Sequence, residues 1–202
     1  MNSKHKMCRR LGMKLCLSAK CPVVKRPYPP GQKGKRRVRS LSEYGKELRE
    51  KQKLRTWYNL KERPFKRYAK EILSLKQRKE DAATLFVRKL ENRLDNVIFR
   101  LGFATSRRQA RQLISHRHFK VNGRSVNVAS FEVRKGDIIE IDNKSKSKSV
   151  FKNILLVLKK YQPPSWLRLD VDELKGEVIG QVSLDEASPP AEISLIFELY
   201  SK

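Results

Sequence analysis

The sequence predicts an α+β chain. A helical N-terminal domain carries an extended basic arm, and a small helix–helix–β-sheet unit follows, closed by a C-terminal helix and strands. Three local signals predict the central unit. Leu90, Leu94, Val97, Ile98 and Leu101 recur at helical spacing and end at Gly102, the residue a left-handed helix cap favours. Ser106 and Gln109 stand at capping-box spacing where a second helix opens. Asn122-Gly123 separates two β-prone runs and tolerates the positive φ of a tight hairpin turn.

Residues 1–40 form the basic arm. They are rich in Lys, Arg, Pro and Gly and hold too few apolar residues for a core of their own. All three cysteines fall here, in the pattern His5-x2-Cys8-x7-Cys16-x4-Cys21. Four nitrogen and sulfur ligands suit tetrahedral zinc, and the short first gap lets one knuckle present two of them. A metal would supply the folding free energy that the segment lacks. The alternatives are three free thiols beside an unrelated histidine, or a disulfide with one odd cysteine, which a reducing compartment disfavours. Arg26-Pro-Tyr-Pro-Pro-Gly-Gln-Lys-Gly34 is stiffened by proline and loosened at its glycines. Lys33 to Arg39 is a dense basic run.

Residues 41–88 predict the helical domain, joined by residues 145–202. Ser40-Leu-Ser-Glu43 is a capping box, so a helix is expected from about Leu41 to Tyr58, with Leu41, Tyr44, Leu48 and Trp57 inward. Glu62-Arg-Pro-Phe65 opens another helix, because proline is tolerated in a first turn. Phe65, Tyr68, Ala69, Ile72 and Leu73 form its apolar stripe. A charged link, Ser74 to Glu80, leads to a helix starting near Asp81.

Residues 89–145 make the small central domain. Ala110, Leu113 and Ile114 face inward from its second helix, leaving Arg107, Arg108 and Arg111 on or beside the opposite face. Phe119–Val121 should pair with Arg124–Val128, and Ile138–Ile141 forms a further strand after the Lys135-Gly136-Asp137 turn. Asn143 to Ser149 reads as a flexible polar link. Residues 146–202 then predict a helix with Val150, Ile154, Leu155 and Leu158, ended by Pro163-Pro164. A strand at Trp166–Asp170, a turn at Lys175-Gly176, a strand at Glu177–Val182 and a final strand at Ile193–Tyr200 follow. This nearly charge-balanced segment is expected to pack on the core, with Trp166 and Phe197 as core residues.

The formal net charge is +26, and 26 of the 47 basic residues but only 6 of the 21 acidic ones lie in residues 1–80. Such a chain repels itself unless a polyanion neutralises it, so nucleic acid is the expected partner. A membrane surface is the weaker alternative, since no long apolar run or signal-peptide pattern occurs; a cytosolic or organellar location follows. Three arginines on a packed helix, with Lys120, Asn122 and Arg124 around the hairpin, make a phosphate-binding surface. The planar guanidinium matches phosphate oxygens with two bonds. A merely solvated basic face is the alternative reading. Arg36, Arg37 and Arg39 of the arm, and Arg49 and Lys53 of the helical domain, extend the candidate surface. Binding should weaken steeply with salt, with a log–log slope of roughly −0.7 to −0.9 per phosphate contacted.

No catalytic set stands out: Walker-type and Gly-x-Ser-x-Gly motifs are absent, and a non-enzymatic protein is expected. His116 and His118 should diverge at a helix-to-strand junction and face solvent or RNA. Asp170, Asp172 and Glu173 read as a turn or cap rather than a cation site. Asp95 reads as a partner that orients a neighbouring arginine.

Arg93-Leu-Asp-Asn-Val, Arg100-Leu-Gly-Phe, Ser106-Arg-Arg-Gln-Ala-Arg-Gln-Leu and Val121-Asn-Gly-Arg resemble the small RNA-binding domain named after small-subunit ribosomal protein four. That domain also occurs in RNA-modifying enzymes and in heat-shock-type ribosome-rescue proteins, the alternative functions. Arg26-Pro-Tyr-Pro-Pro-Gly-Gln, Leu41-Ser-Glu-Tyr-Gly, Leu48-Arg-Glu-Lys-Gln-Lys and Phe197-Glu-Leu-Tyr-Ser-Lys202 extend the resemblance over nearly the whole chain. They make it similar to the bacterial or organellar small-subunit ribosomal protein four family. The resemblance implies a primary binder of small-subunit ribosomal RNA that nucleates assembly and takes part in decoding accuracy. It implies contact with neighbouring small-subunit proteins and with messenger RNA where it enters. Zinc-binding members of that family present four N-terminal cysteines. Cys8, Cys16 and Cys21 fall on three of those positions, and His5 falls where the first would be.

Overall fold

A computed structural model describes residues 3–16, 18, 20–31, 40–75, 80–151 and 154–201. The chain divides into two compact units, Met1–Ala83 with Pro189–Lys202, and Thr84–Ser188.

In the first unit the arm does form a small core. Helix α1 (Ser3–Leu11) buries Cys8 and Leu11 with Leu15, Cys21 and Val23, and Met7, Met13, Cys16 and Trp57 pack around them. Arg9 folds the proline-rich stretch back: its Nε donates to the Tyr28 carbonyl at 3.0 Å and its guanidinium lies 4.8 Å from the centre of the Tyr28 ring. Helix α2 (Glu43–Trp57) starts later than expected, because the hydroxyl of Ser42, not Ser40, accepts the free Gly45 amide at 3.3 Å. Leu41 and Tyr44 are consequently exposed rather than inward. Helix α3 (Glu62–Ser74) buries Phe65, Tyr68, Ala69 and Ile72, as its stripe predicts.

Helix α4 (Ala82–Glu91) starts at the end of the first unit, where the Asp81 carboxylate accepts the Ala83 amide at 3.2 Å, and its residues from Thr84 on belong to the second. The apolar stripe predicted one helix; the structure breaks it at Asn92-Arg93 and restarts it as α5 (Leu94–Arg100). The cause is non-local. Arg93 is extended and bridges Glu132, while the Leu94 and Asp95 amides donate to the Phe131 and Ala129 carbonyls at 2.8 and 3.2 Å. The amides that every helix start leaves free are thus satisfied by a loop far along the chain. Gly102 ends α5 at φ +81°. Helix α6 (Arg107–Ser115) is capped by Ser106, whose hydroxyl accepts the Gln109 amide at 3.2 Å. Gln109 reaches back one residue further than a capping box requires, to the Thr105 amide at 2.8 Å.

Strands β1 (Phe119–Val121) and β2 (Arg124–Ser125) form the predicted hairpin, with Asn122 and Gly123 at φ 50° and 76°. Strand β3 (Ile138–Ile141) pairs with β1, Val121 opposite Ile139. Next come α7 (Asn143–Lys146), a short 3-10 turn at Ser149–Phe151, α8 (Ile154–Leu158), β4 (Leu167–Asp170), β5 (Lys175–Val178) and α9 (Leu184–Ala187). All five strands form one antiparallel sheet in the order β2-β1-β3-β5-β4.

Three expectations change here. Lys175-Gly176 lies in β5, not in a turn. The turn precedes it, where Asp170 Oδ1 accepts the Asp172 and Glu173 amides at 3.0 and 3.1 Å. The polar link is ordered: Ser145 is buried and its hydroxyl lies 2.8 Å from His118 Nδ1. In α8 only Ile154 and Leu158 are buried, while Val150 before it and Leu155 within it are exposed. Residues 146–188 group with the central domain; only the end of the chain joins the helical one.

That end, α10 (Ile193–Ser201), is a helix and not the expected strand. It packs on α2 and α3 within the first unit, with the Tyr200 ring 6.5 Å from Phe65 and its hydroxyl donating to Glu62 at 3.2 Å. No helix among the described residues is long and apolar enough to cross a membrane.

Candidate nucleic-acid interface

Helix α6 begins with two arginines and has no acid in its first turn. Arg108 is exposed. Arg107 is not on the solvent face: it is 5% exposed, lies with its guanidinium 4.6 Å from the Phe99 ring centre, and donates Nε to Asn96 Oδ1 at 2.6 Å. Its place between α5 and α6 is a correction, and the reason is the Asn96 carbonyl waiting one helix away. Arg111 takes an intermediate position, its side chain 31% exposed. Its Nε and Nη2 both reach Asp95 Oδ2, at 3.2 and 2.7 Å.

Asp95 is therefore the arginine partner expected of it, and it serves two. Arg93 also grips it, Nε to Oδ1 at 3.0 Å and Nη2 to Oδ2 at 2.9 Å. Beside this pair runs a second buried network. Glu91 accepts two bonds from Arg100, at 3.0 and 2.8 Å, and the Asn96 amide donates to the same carboxylate. Asn96 then passes the connection on to Arg107. Glu91, Arg93, Asn96 and Arg100 were not singled out from the sequence as site residues. The signal was there: polar residues interrupt the apolar stripe at positions that the helix must bury.

On the hairpin, Arg124 is exposed. Lys120 pairs with Asp142 at 2.9 Å, and their hydrogen bond holds the Asp142 carboxyl below its usual range and the Lys120 ammonium above its own. Asn122 is used within the fold: its Nδ2 donates to Asp137 at 2.8 Å and its Oδ1 accepts the Ile138 amide at 2.9 Å, which fixes the hairpin against β3. His118 is buried against Ser145 and Phe151 rather than solvent-facing. Desolvation pushes its pKa down, helped by Lys148 and His116 and opposed by Asp142. His116 and His118 do not diverge; their rings are 5.9 Å apart.

In the first unit, Arg49 donates to the Leu11 carbonyl at 2.9 Å and Lys53 pairs with Glu50 at 2.5 Å, so both are engaged within the fold. Arg36, Arg37 and Arg39 lie outside the described residues. Of the four candidate ligands in the cysteine pattern, the structure brings three together. The ligand atoms of His5, Cys16 and Cys21 lie within 4.8 Å of one another, and Cys16 Sγ is 3.8 Å from His5 Nδ1. Cys8 is the exception, 1% exposed and packed in the apolar cluster with Leu11, Leu15 and Val23. Zinc ligands sit roughly 3.5 Å apart in a tetrahedral site; the His5–Cys16 pair is near that spacing, and the donor set of one imidazole and two thiols is of the kind zinc takes.

A buttressed arginine helix beside a basic hairpin, in a chain with net charge +26, is the pattern of a polyanion-binding protein. Residues 92–139 match the family described as "S4 domain", and residues 1–91 match "Ribosomal protein S4/S9 N-terminal domain". The "Small ribosomal subunit protein uS4" of Kosmotoga olearia is 47% identical over 203 residues, covering 98% of this chain and 96% of that protein. The proteins of the same name from Caldicellulosiruptor bescii and Thermus thermophilus are 47% and 42% identical over the same coverage. The chain belongs to this family of small ribosomal subunit proteins.

Proposed function

We propose that this chain is a structural constituent of the small ribosomal subunit that binds its RNA through α6 and the β1–β2 hairpin. The observation that carries the reading is the start of α6. Cations at N1 and N2 oppose the helix dipole, whose positive end lies there. A phosphate at that end satisfies the dipole and the exposed Arg108 together. Arg108, Arg111 and Arg124 are the contacts proposed from the exposed side, with Lys120 beside them. Arg107 and Asn122 serve by holding the helix and the hairpin in place. The arm residues Arg36, Arg37 and Arg39 wrap neighbouring RNA, and recognition rests on RNA shape and phosphate position more than on base identity. The role is architectural rather than catalytic. It includes early binding that nucleates assembly and a part in decoding accuracy, with neighbouring small-subunit proteins and incoming messenger RNA as further partners. The setting is a cytoplasmic or organellar ribosome.

Replacing Arg108, Arg111 and Arg124 together with alanine is expected to weaken binding to small-subunit ribosomal RNA more than tenfold at moderate salt. The salt slope should fall by about 2, the loss of three phosphate contacts. Filter binding across a salt series measures both. Native affinity and slope in the triple variant would mean that RNA lies on another face.

One structural zinc ion held by His5, Cys16 and Cys21 completes the proposal. It would cross-link α1 to the segment that follows it and order the arm before RNA is met. Protein purified without chelator should carry about one zinc per chain by mass spectrometry, and Cys16→Ser should lose it. Cys8→Ala decides the fourth position: retained zinc makes Cys8 a packing residue, and lost zinc makes it a ligand. A native protein without zinc overturns the site.

A further inference from the structure

We propose, on the basis that α6 faces RNA, that Asp95 is a positioning residue for phosphate recognition: an acid that strengthens the grip of a basic surface on RNA. The geometry is a relay of fixed groups. Arg93 is buried and anchored through its backbone, by its bridge to Glu132. Its two bonds fix both oxygens of the Asp95 carboxylate, which is itself only 3% exposed. That immobilised carboxylate then takes Nε and Nη2 of Arg111 on a single oxygen. Arg111 is the outermost member and the only one of the three with substantial solvent exposure.

A free arginine side chain samples many rotamers and must lose that freedom when it binds a phosphate. Here the loss is taken during folding, and the guanidinium plane is set before RNA arrives. The two buried groups act only through Arg111, whose fork meets the ligand.

The sign of one substitution separates this from simple electrostatics. Asp95→Asn removes a negative charge next to a phosphate-binding helix. If Asp95 were only a neighbour, the more positive surface would bind RNA as tightly or tighter. If Asp95 positions Arg111, affinity falls although net charge rises. The experiment titrates the full-length chain against a small-subunit ribosomal RNA transcript, with bulk transfer RNA as competitor. The variants are Asp95→Asn, Arg111→Ala, Arg111→Lys and the Asp95→Asn/Arg111→Ala pair, with far-ultraviolet circular dichroism of each.

Asp95→Asn is expected to bind about fivefold more weakly, and adding Arg111→Ala should cost less than twofold more. Arg111→Lys keeps the charge that pairs with Asp95 and should fold whatever Asp95→Asn does. It is expected to lose about as much as Arg111→Ala, because an ammonium has no planar fork for the carboxylate to set. Native or tighter binding by a folded Asp95→Asn, or native binding by Arg111→Lys, overturns the proposal. Native binding by Arg111→Ala overturns it too, and takes Arg111 out of the proposed RNA face. Weakened Arg111→Ala with undiminished Asp95→Asn leaves the RNA face standing and removes only the positioning role.

Discussion

Glu91→Ala is expected to cost the second unit about 3–5 kcal/mol, the loss typical of a buried ion pair that keeps one charge and loses the other. The Glu91 side chain is fully buried, and its carboxylate is held by Arg100 through two bonds and by the Asn96 amide. Arg100 is tied to a second point as well. Its Nη2 also donates to the Ala187 carbonyl at 3.2 Å, and its own carbonyl accepts the Tyr161 hydroxyl at 3.0 Å. Asn96 would keep its bond to the Glu91 carbonyl at 3.1 Å while losing the carboxylate that fixes its amide. Through Asn96 Oδ1 the disturbance reaches Arg107 at the base of α6. Urea unfolding should show the loss. Trp166 is buried in the second unit and Trp57 belongs to the first, so a Trp57→Phe background makes fluorescence report the affected unit. Glu91→Gln, which keeps an acceptor and the shape, should cost less. A loss below about 1 kcal/mol in the alanine variant would mean that the site admits water and that the network is not structural.

What could be seen in the sequence was what short-range chemistry decides. Ser106 and Gly102 act within four positions of themselves, Asn122-Gly123 sets the turn between its own neighbours, and each stands where its residue type predicts. The misses share a cause of the opposite kind. Nothing near Asn92 breaks a helix; the break exists because Glu132 and the carbonyls of 129 and 131 arrive from 34 to 39 residues away. Ser145 looks like linker composition until His118 supplies its partner, 27 positions earlier. The C-terminal segment is ambiguous in itself. Ile193, Leu195, Phe197 and Leu199 alternate as a strand would, while Ile193, Ile196, Phe197 and Tyr200 follow helical spacing. Packing on α2 and α3 chooses the second pattern and buries Ile193 and Ile196. The candidate site divides the same way. Basic residue types marked the surface, but which arginines point outward depends on Asp95 and Asn96. Their roles follow from the turn of α5 against α6. For the cysteines, the short His5-x2-Cys8 gap pointed to one knuckle, but packing draws Cys8 into the apolar cluster and leaves His5 beside Cys16 and Cys21.

Gly102→Ala is the second large effect, about 2–4 kcal/mol, and it tests why α5 must end where it does. Two costs combine. At φ +81° an L-residue carries a penalty of about 1–2 kcal/mol that glycine avoids. The added methyl would also stand 2.8 Å from Cδ1 of Tyr161 and 3.1 Å from Leu158, and overpacking of this kind costs about 1–3 kcal/mol. Tyr161 has little room to yield. Its hydroxyl is tied to the Arg100 carbonyl, and burial raises its pKa above the ordinary phenol range. Gly123 supplies the control. It is also left-handed, at φ +76°, but nothing lies within 4 Å of where its methyl would go. Gly123→Ala should therefore show the backbone penalty alone. Denaturant unfolding of the two variants separates the terms: the excess at Gly102 is the resistance of Tyr161. If the two cost the same, Tyr161 moves aside, and the link from the Arg100 carbonyl to Tyr161 is looser than its hydrogen bond implies. If Gly102→Ala costs more, close approach as well as chirality requires glycine at the end of α5, and the turn into α6 is held from both sides.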